Sequence, residues 1–141
     1  MTTTEDLRTL IDDSNVAVFT TYRRDGMPQQ SLVSVGLVDG ALAFTTRSGN
    51  AKVRNLARDY RCAAMLISAN RRAFAVLDGL AEVLSAATTG ADVLRVALQD
   101  VYRSAAGAEH PDWDDYDRAM LEQGRVAVIL RPSRIVGHNI G

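Results

Sequence analysis

Apolar positions near the amino terminus recur at helical spacing. Leu7 and Leu10 fall on one side of a helix, and Thr3 and Asp6 occupy the two positions of a capping box. In that motif each side chain bonds the backbone N–H of the other residue. We therefore predict a short helix over residues 3–13.

After residue 15 the period changes to two, and β-branched and aromatic residues alternate with polar ones, as is typical of strands. Turn signals follow at 23–26 (Arg-Arg-Asp-Gly) and at 39–40 (Asp-Gly). The first three strands are therefore predicted to form a meander. They cover residues 16–22, 28–38 and 41–46.

The remainder of the chain mixes helices with strands. Helices are predicted over 51–59, 91–105 and 112–123, and strands over 62–68, 72–84, 126–130 and 132–140. The result is a mainly β fold with inserted helices (α+β), in a single domain over residues 1–141. Because an open sheet of this size leaves edges and an apolar face uncovered, we predict a closed or nearly closed antiparallel barrel.

Composition and charge narrow the classes of partner. The 141 residues include 16 basic and 17 acidic side chains, so the net charge of −1 offers no global field for nucleic acid or an anionic membrane. No apolar run is long enough to span a bilayer, and the start of the chain lacks a basic, apolar leader, so we expect a cytoplasmic protein without membrane insertion. The single cysteine, Cys62, lies in an apolar strand and is expected in the core.

Cations are concentrated at the predicted helix start within TTRSGNAKVRNL, residues 45–56. Arg47, Lys52 and Arg54 lie at the positive end of the helix dipole, where cations are unfavourable, and Lys52 is the only lysine in the chain. A solvated charged turn is one interpretation. The other, which we favour, is a phosphate site formed by these side chains and by backbone N–H groups after a capping Asn50.

Other chemistries have weaker support. The segment around His110 carries several aspartates, but it lacks the glycine and glutamate positions of a calcium loop, and Asp112 is better explained as a helix cap, so no metal site is predicted. No histidine stands near Ser31 or Ser34 in sequence to activate either hydroxyl. The catalytic residues are therefore unknown, and the reactivity is predicted to reside in a bound cofactor.

Three stretches carry a resemblance to a known family. The segment TTRSGNAKVRNLARDYRCAAMLI and the order of elements resemble the flavin-binding split-barrel superfamily of the pyridoxamine 5'-phosphate oxidase type, over nearly the whole chain. VAVFTTYRRDGMP and EHPDWDDYDRAM resemble, more closely, the actinobacterial branch that uses the deazaflavin coenzyme F420.

This resemblance implies an antiparallel split β-barrel of the FMN-binding type, homodimeric, with the cofactor at the subunit interface. Lys52 and Arg54 would contact the cofactor phosphate, and Asn55 would support the turn. The other residues that the resemblance implies line the ribityl and phosphate path (Thr45, Thr46, Arg47), run beside the deazaflavin ring (Ser31, Leu32, Val33) or pack close to it (Met65).

The activity that the resemblance implies is hydride transfer from reduced F420 to a small organic acceptor, such as an activated double bond or a quinone. Two alternatives stay open: an FMN-binding oxidoreductase of the same fold, and a protein that carries F420 without catalysis. Oxidation of vitamin B6 is disfavoured, because the chain end RIVGHNIG shows no second phosphate clamp.

Overall fold

The computed structural model describes residues 2–140, which form seven strands and five helices. None of the five described helices combines the length and apolarity needed to span a bilayer. In chain order the elements are α1 (Thr4–Asp13), β1 (Val16–Tyr22), β2 (Pro28–Ser34), β3 (Gly36–Val38), β4 (Ala41–Arg47), α2 (Ala51–Arg58), β5 (Arg61–Ile67), β6 (Phe74–Leu84), α3 (Ala86–Thr89), α4 (Ala91–Ala106), α5 (Trp113–Glu122) and β7 (Arg125–His138).

The seven strands form one antiparallel sheet in the order β2-β1-β5-β6-β7-β4-β3. The strands at its two edges, β2 and β3, are separated in the chain by Val35 alone. The two edges must therefore meet at that residue, which curls the sheet into a split barrel. The predicted α+β fold class and barrel are confirmed.

The predicted second strand over 28–38 is wrong in one respect, because the structure divides it at Val35. Helix α4 lies so close to Gly36 that a Cβ placed there would stand 2.6 Å from the Cβ of Ser104. The Ser104 hydroxyl also accepts a hydrogen bond from the Leu37 N–H at 2.6 Å. The predicted meander is therefore replaced by two hairpins, β1–β2 and β3–β4, at opposite edges of the sheet.

The last two predicted strands, over 126–130 and 132–140, form the single long strand β7. Pro132 has no N–H to donate, and it pairs with Gly79 where the register shifts between Asp78 and Gly79. A bulge at this point accommodates proline inside a strand.

The inner face of the sheet packs around the main core, which includes Phe19 and Phe44 in edge-to-face contact at 4.7 Å. Helix α1 adds Leu7 and Leu10 to this core, and α2 adds Leu56. On the outer face, α4 and α5 cover β3, β4 and the first half of β7.

Most helix boundaries agree with the predicted ones to within a residue or two. The capping box of Thr3 and Asp6 is present at the start of α1, as predicted. The short helix α3 was not predicted, although Ser85 and Thr88 form a capping box there as well.

We predict that Gly79→Ala destabilises the protein, because a Cβ at this position would collide with the backbone carbonyl oxygen of Arg131. Overpacking of this kind lowers the free energy of unfolding by about 1–3 kcal/mol, measurable by urea denaturation. Gly49→Ala is the matched control, since nothing lies within 4 Å of a Cβ there. Equal stability of the two variants would contradict the close approach of β6 to β7.

Candidate functional site

The site begins at the turn that joins β4 to α2. Asn50 holds the N-cap position in extended backbone conformation, yet its side chain makes no capping hydrogen bond. Its Nδ2 donates instead to the Thr46 hydroxyl at 2.8 Å. The prediction that Asn50 caps the helix is therefore right for its position and wrong for its side chain.

Backbone donors are left available at this helix start. The N–H groups of Val53 and Arg54 donate to the Asn50 carbonyl at 3.1 and 3.2 Å, whereas those of Ala51 and Lys52 have no acceptor within residues 2–140. The first turn of α2 also contains no acidic side chain. The positive end of the helix dipole is thus open to an external anion.

Three cations surround this helix start. Arg47 at the end of β4 pairs in register with Arg125 at the start of β7. Burial lowers the pKa of the half-buried Lys52 amine, and the positive charge of Arg125 lowers it further. Among the described residues, none of these three side chains forms an ion pair with a carboxylate.

Arg125 is the site residue that sequence reasoning missed. Its Nη1 donates to the Thr45 carbonyl at 3.3 Å and its Nε donates to Gln123 Oε1 at 2.8 Å, so both partners are neutral. The Ser48 N–H donates to the Gly124 carbonyl at 3.0 Å, which ties the turn to the residue before Arg125. The proximity of Arg125 to the site follows from the pairing of β4 with β7, and no local sequence motif predicts it.

Arg54 is directed differently from Lys52. Its Nη1 donates to the Gly49 carbonyl at 2.6 Å, and the side chain is exposed. This guanidinium therefore braces the β4–α2 turn in the structure, while Lys52 lies close to Arg125.

Asn55 fixes the position of α2. It is 5% exposed, and its Nδ2 donates to the Thr21 hydroxyl at 3.1 Å and to Gln29 Oε1 at 2.8 Å. Arg58 Nη2 donates to the Oδ1 of the Asn55 side-chain amide. The buried amide thereby joins the cation-bearing helix to β1 and β2 through a satisfied polar network.

The residues predicted beside the ring lie on two faces of the sheet. Val33 packs against the core inside the barrel, and Ser31 shares its face of β2. Leu32 and Met65 are on the outer face, one on each side of Val18. The structure thus brings Leu32 and Met65 together and separates them from Ser31 and Val33.

An apolar groove of about 440 Å³ runs beside α2, and the residue that follows Lys52 in the chain is part of its wall. Val53 and Leu56 form its helical side, and Leu80 lies across from them on β6. Tyr60 and Leu80 are the large side chains left most exposed at its edge.

In residues 2–140, the structure assembles no site for the other chemistries that the sequence suggested. His110 Nδ1 accepts the Asp112 N–H at 2.9 Å, and Asp112 caps α5 as predicted. Burial raises the pKa of the Cys62 thiol to about 12, so the thiolate is scarce at neutral pH. Within residues 2–140, no three histidine, cysteine, aspartate or glutamate side chains come together as a possible metal site.

Comparison with known proteins agrees with this architecture. The family model described as pyridoxamine 5'-phosphate oxidase matches residues 3–138. The chain belongs to the pyridoxamine 5'-phosphate oxidase family. The predicted flavin-binding split-barrel superfamily is confirmed.

Several solved structures share the fold. A conserved hypothetical protein from Mycobacterium tuberculosis is similar over 98% of this chain and 85% of its own, at 18% identity and a TM-score of 0.80. A protein described as an F420 reductase is similar over 92% and 94%, at 24% identity and a TM-score of 0.61. A heme binding protein from Mycobacterium smegmatis is similar over 97% of this chain and 54% of its own, at 22% identity and a TM-score of 0.66.

We predict that Arg125→Gln raises the pKa of Lys52, because it removes a positive charge that disfavours the protonated amine. Lys52 is the only lysine, so selective ¹³C labelling of lysine gives one signal whose pH titration is unambiguous. Arg24→Gln, at an exposed position in the β1–β2 turn, is the control and should leave the midpoint in place. An unchanged midpoint in Arg125→Gln would show that the two cations do not interact.

Proposed function

We propose that this chain binds the deazaflavin coenzyme F420 through its phosphoryl group and acts as an oxidoreductase on a small organic acceptor, such as an activated double bond or a quinone. The observation that carries the proposal is the closeness of Lys52 and Arg125, with Arg47 in register beside Arg125, at a helix start with two available N–H donors and no carboxylate partner for these cations in residues 2–140. A phosphoryl group supplies the missing charge and accepts those hydrogen bonds.

The distribution of charge favours the binding of one small anion over the binding of a polyanion such as nucleic acid. The whole chain has a net charge of −1, so it carries no general excess of positive charge. Nucleic acid would require a basic surface many phosphates long. A single phosphorylated small molecule matches the size of the cluster.

Family membership supports a redox cofactor for this anion, and the F420 reductase of similar fold supports a deazaflavin. Such a cofactor, when reduced and bound, supplies the hydride. The protein's own task is then placement: Lys52 and Arg47 hold the phosphoryl group, Thr45 lines the path from it, the buried Thr46 holds Asn50 at the helix start, and Asn55 keeps α2 in position. Arg54 near the phosphoryl group is part of the same proposal, whereas Ser31 and Val33 lie on the inner face of β2 and are left out of the ring site.

We further propose that two copies pair through the uncovered outer face of the sheet. One row of apolar side chains crosses five adjacent strands there, through Leu32, Val18, Met65, Val76 and Val136. Leu32 is 73% exposed and Val136 is 45% exposed. Burying this row against its symmetry mate removes apolar surface from water. It also places Leu32 and Met65 at the interface, where the cofactor ring is expected.

Lys52→Ala and Arg125→Gln should each weaken F420 binding by about 1–3 kcal/mol, the range for charge-assisted hydrogen bonds. Fluorescence titration measures the affinity. The same deazaflavin without its phosphoryl group provides a ligand control, because its affinity should not change in either variant. Arg24→Gln is the protein control. Unchanged F420 affinity in both site variants would remove the assignment.

Val136→Asp should convert the dimer to a monomer, because it places a charge in the apolar row of the proposed interface. Sedimentation velocity measures the assembly state. Val93→Asp is the matched control, since Val93 is 56% exposed on α4, away from this face. A wild-type protein that is monomeric, or a Val136→Asp variant that remains dimeric, would contradict this interface.

FMN is the second candidate cofactor, because the family binds flavins. Parallel titrations with F420 and FMN decide between them, and the tighter ligand identifies the cofactor. Turnover of the reduced complex against a panel of quinones and activated alkenes then tests the enzyme. Tight binding without turnover of any acceptor would make the protein an F420 carrier instead.

A further inference from the structure

A second cavity lies between helices α3, α4 and α5 and the start of β7, apart from the groove beside α2. Its volume of about 570 Å³ is within the range of small-molecule sites, roughly 300–1,000 Å³. Aliphatic and thioether side chains form most of its wall: Leu94, Leu98, Met120, Leu121 and Val126.

Most charged groups on this wall already have partners. Arg95 lies 3.6 Å from Asp92, and Arg118 donates to Asp115 at 2.7 Å. The carboxylate of Asp117 accepts from Gln99 Nε2 at 2.9 and 3.1 Å. Arg95 and Arg118 are therefore balanced by carboxylates, whereas Asp117 has a neutral partner and keeps its negative charge.

Arg125 is the unbalanced cation of this wall. It is the one arginine of the wall that, within residues 2–140, has no carboxylate partner, and its two hydrogen-bond acceptors are neutral. A guanidinium has five N–H donors, so donors remain for a ligand in the cavity as well as for one beside Lys52. A half-buried cation at the end of an apolar cavity is complementary to an anionic group on an apolar molecule.

We infer that this cavity binds a small apolar molecule that carries one carboxylate, with its apolar part against Leu94 and Met120 and its carboxylate on Arg125. The site does not depend on F420 binding, and cofactor-free protein is used throughout its test. Failure of the cofactor assignment would therefore leave the result unaffected.

Octanoate and octan-1-ol serve as the probes, because they share an alkyl chain and differ in charge. Labelling the methionine methyl groups with ¹³C gives separate NMR reporters: Met120 lines the cavity, Met65 lies on the outer sheet face and Met27 follows the β1–β2 turn. Octanoate should shift the Met120 signal saturably and leave Met65 and Met27 in place. Octan-1-ol should bind at least about tenfold more weakly.

Two variants sharpen the test. Arg125→Gln should abolish the preference for octanoate over octan-1-ol, and Ala87→Trp should block both ligands by filling the cavity. Ala57→Trp, at another exposed alanine, one that lines the groove beside α2, should leave octanoate binding intact. Circular dichroism verifies that each variant is folded.

Three outcomes would overturn the inference. The first is a shift of Met65 without a shift of Met120, which would place the ligand on the outer sheet face. The second is equal affinity for octanoate and octan-1-ol in the wild-type protein, which would make the cavity a neutral apolar site. The third is a preference for octanoate that survives in Arg125→Gln.

Discussion

Uncompensated positive charge where β4 meets β7 is the constraint on which the proposed site depends. Strand pairing holds Arg47 opposite Arg125, and α2 brings Lys52 close enough for Arg125 to lower its pKa. Holding the like charges of the half-buried Lys52 and Arg125 together costs free energy, and no carboxylate among the described residues offsets this cost. A bound phosphoryl group would reverse the sign of the interaction, so the cluster is explained better by binding than by stability.

Hydrogen bonds hold the backbone around these cations in place, and this order favours tight binding of a ligand. Asn55 is buried and bonded to Thr21 and Gln29, so α2 cannot shift without breaking a satisfied polar network. Arg54 braces the preceding turn through the Gly49 carbonyl. Because these groups are ordered before any ligand arrives, less conformational entropy is lost on binding than in a flexible loop.

One half of the outer face of the sheet is covered by helices, and the other half is not. Helices α4 and α5 cover β3, β4 and the first half of β7, and the imperfect fit of α3, α4 and α5 over the start of β7 leaves the cavity that reaches Arg125. The other half of the face has no helix over it among the described residues and carries the apolar row through Val18 and Met65. One half thus supports a ligand cavity, and the other provides the surface proposed for a second subunit.

Local signals in the sequence were sufficient for the α1 capping box, the hairpin turns and the cation-rich start of α2, because each depends on residues a few positions apart. The barrel class followed instead from the number and order of the predicted strands. Tertiary structure alone decided three further features: the division of the second strand at Val35, the continuity of β7 through Pro132 and the neighbourhood of Arg125. Each arises from contacts between segments distant in the chain, namely α4 on Gly36, the bulge at Gly79 and the pairing of β4 with β7. Such contacts depend on how the whole sheet closes, and no short pattern of residues encodes them.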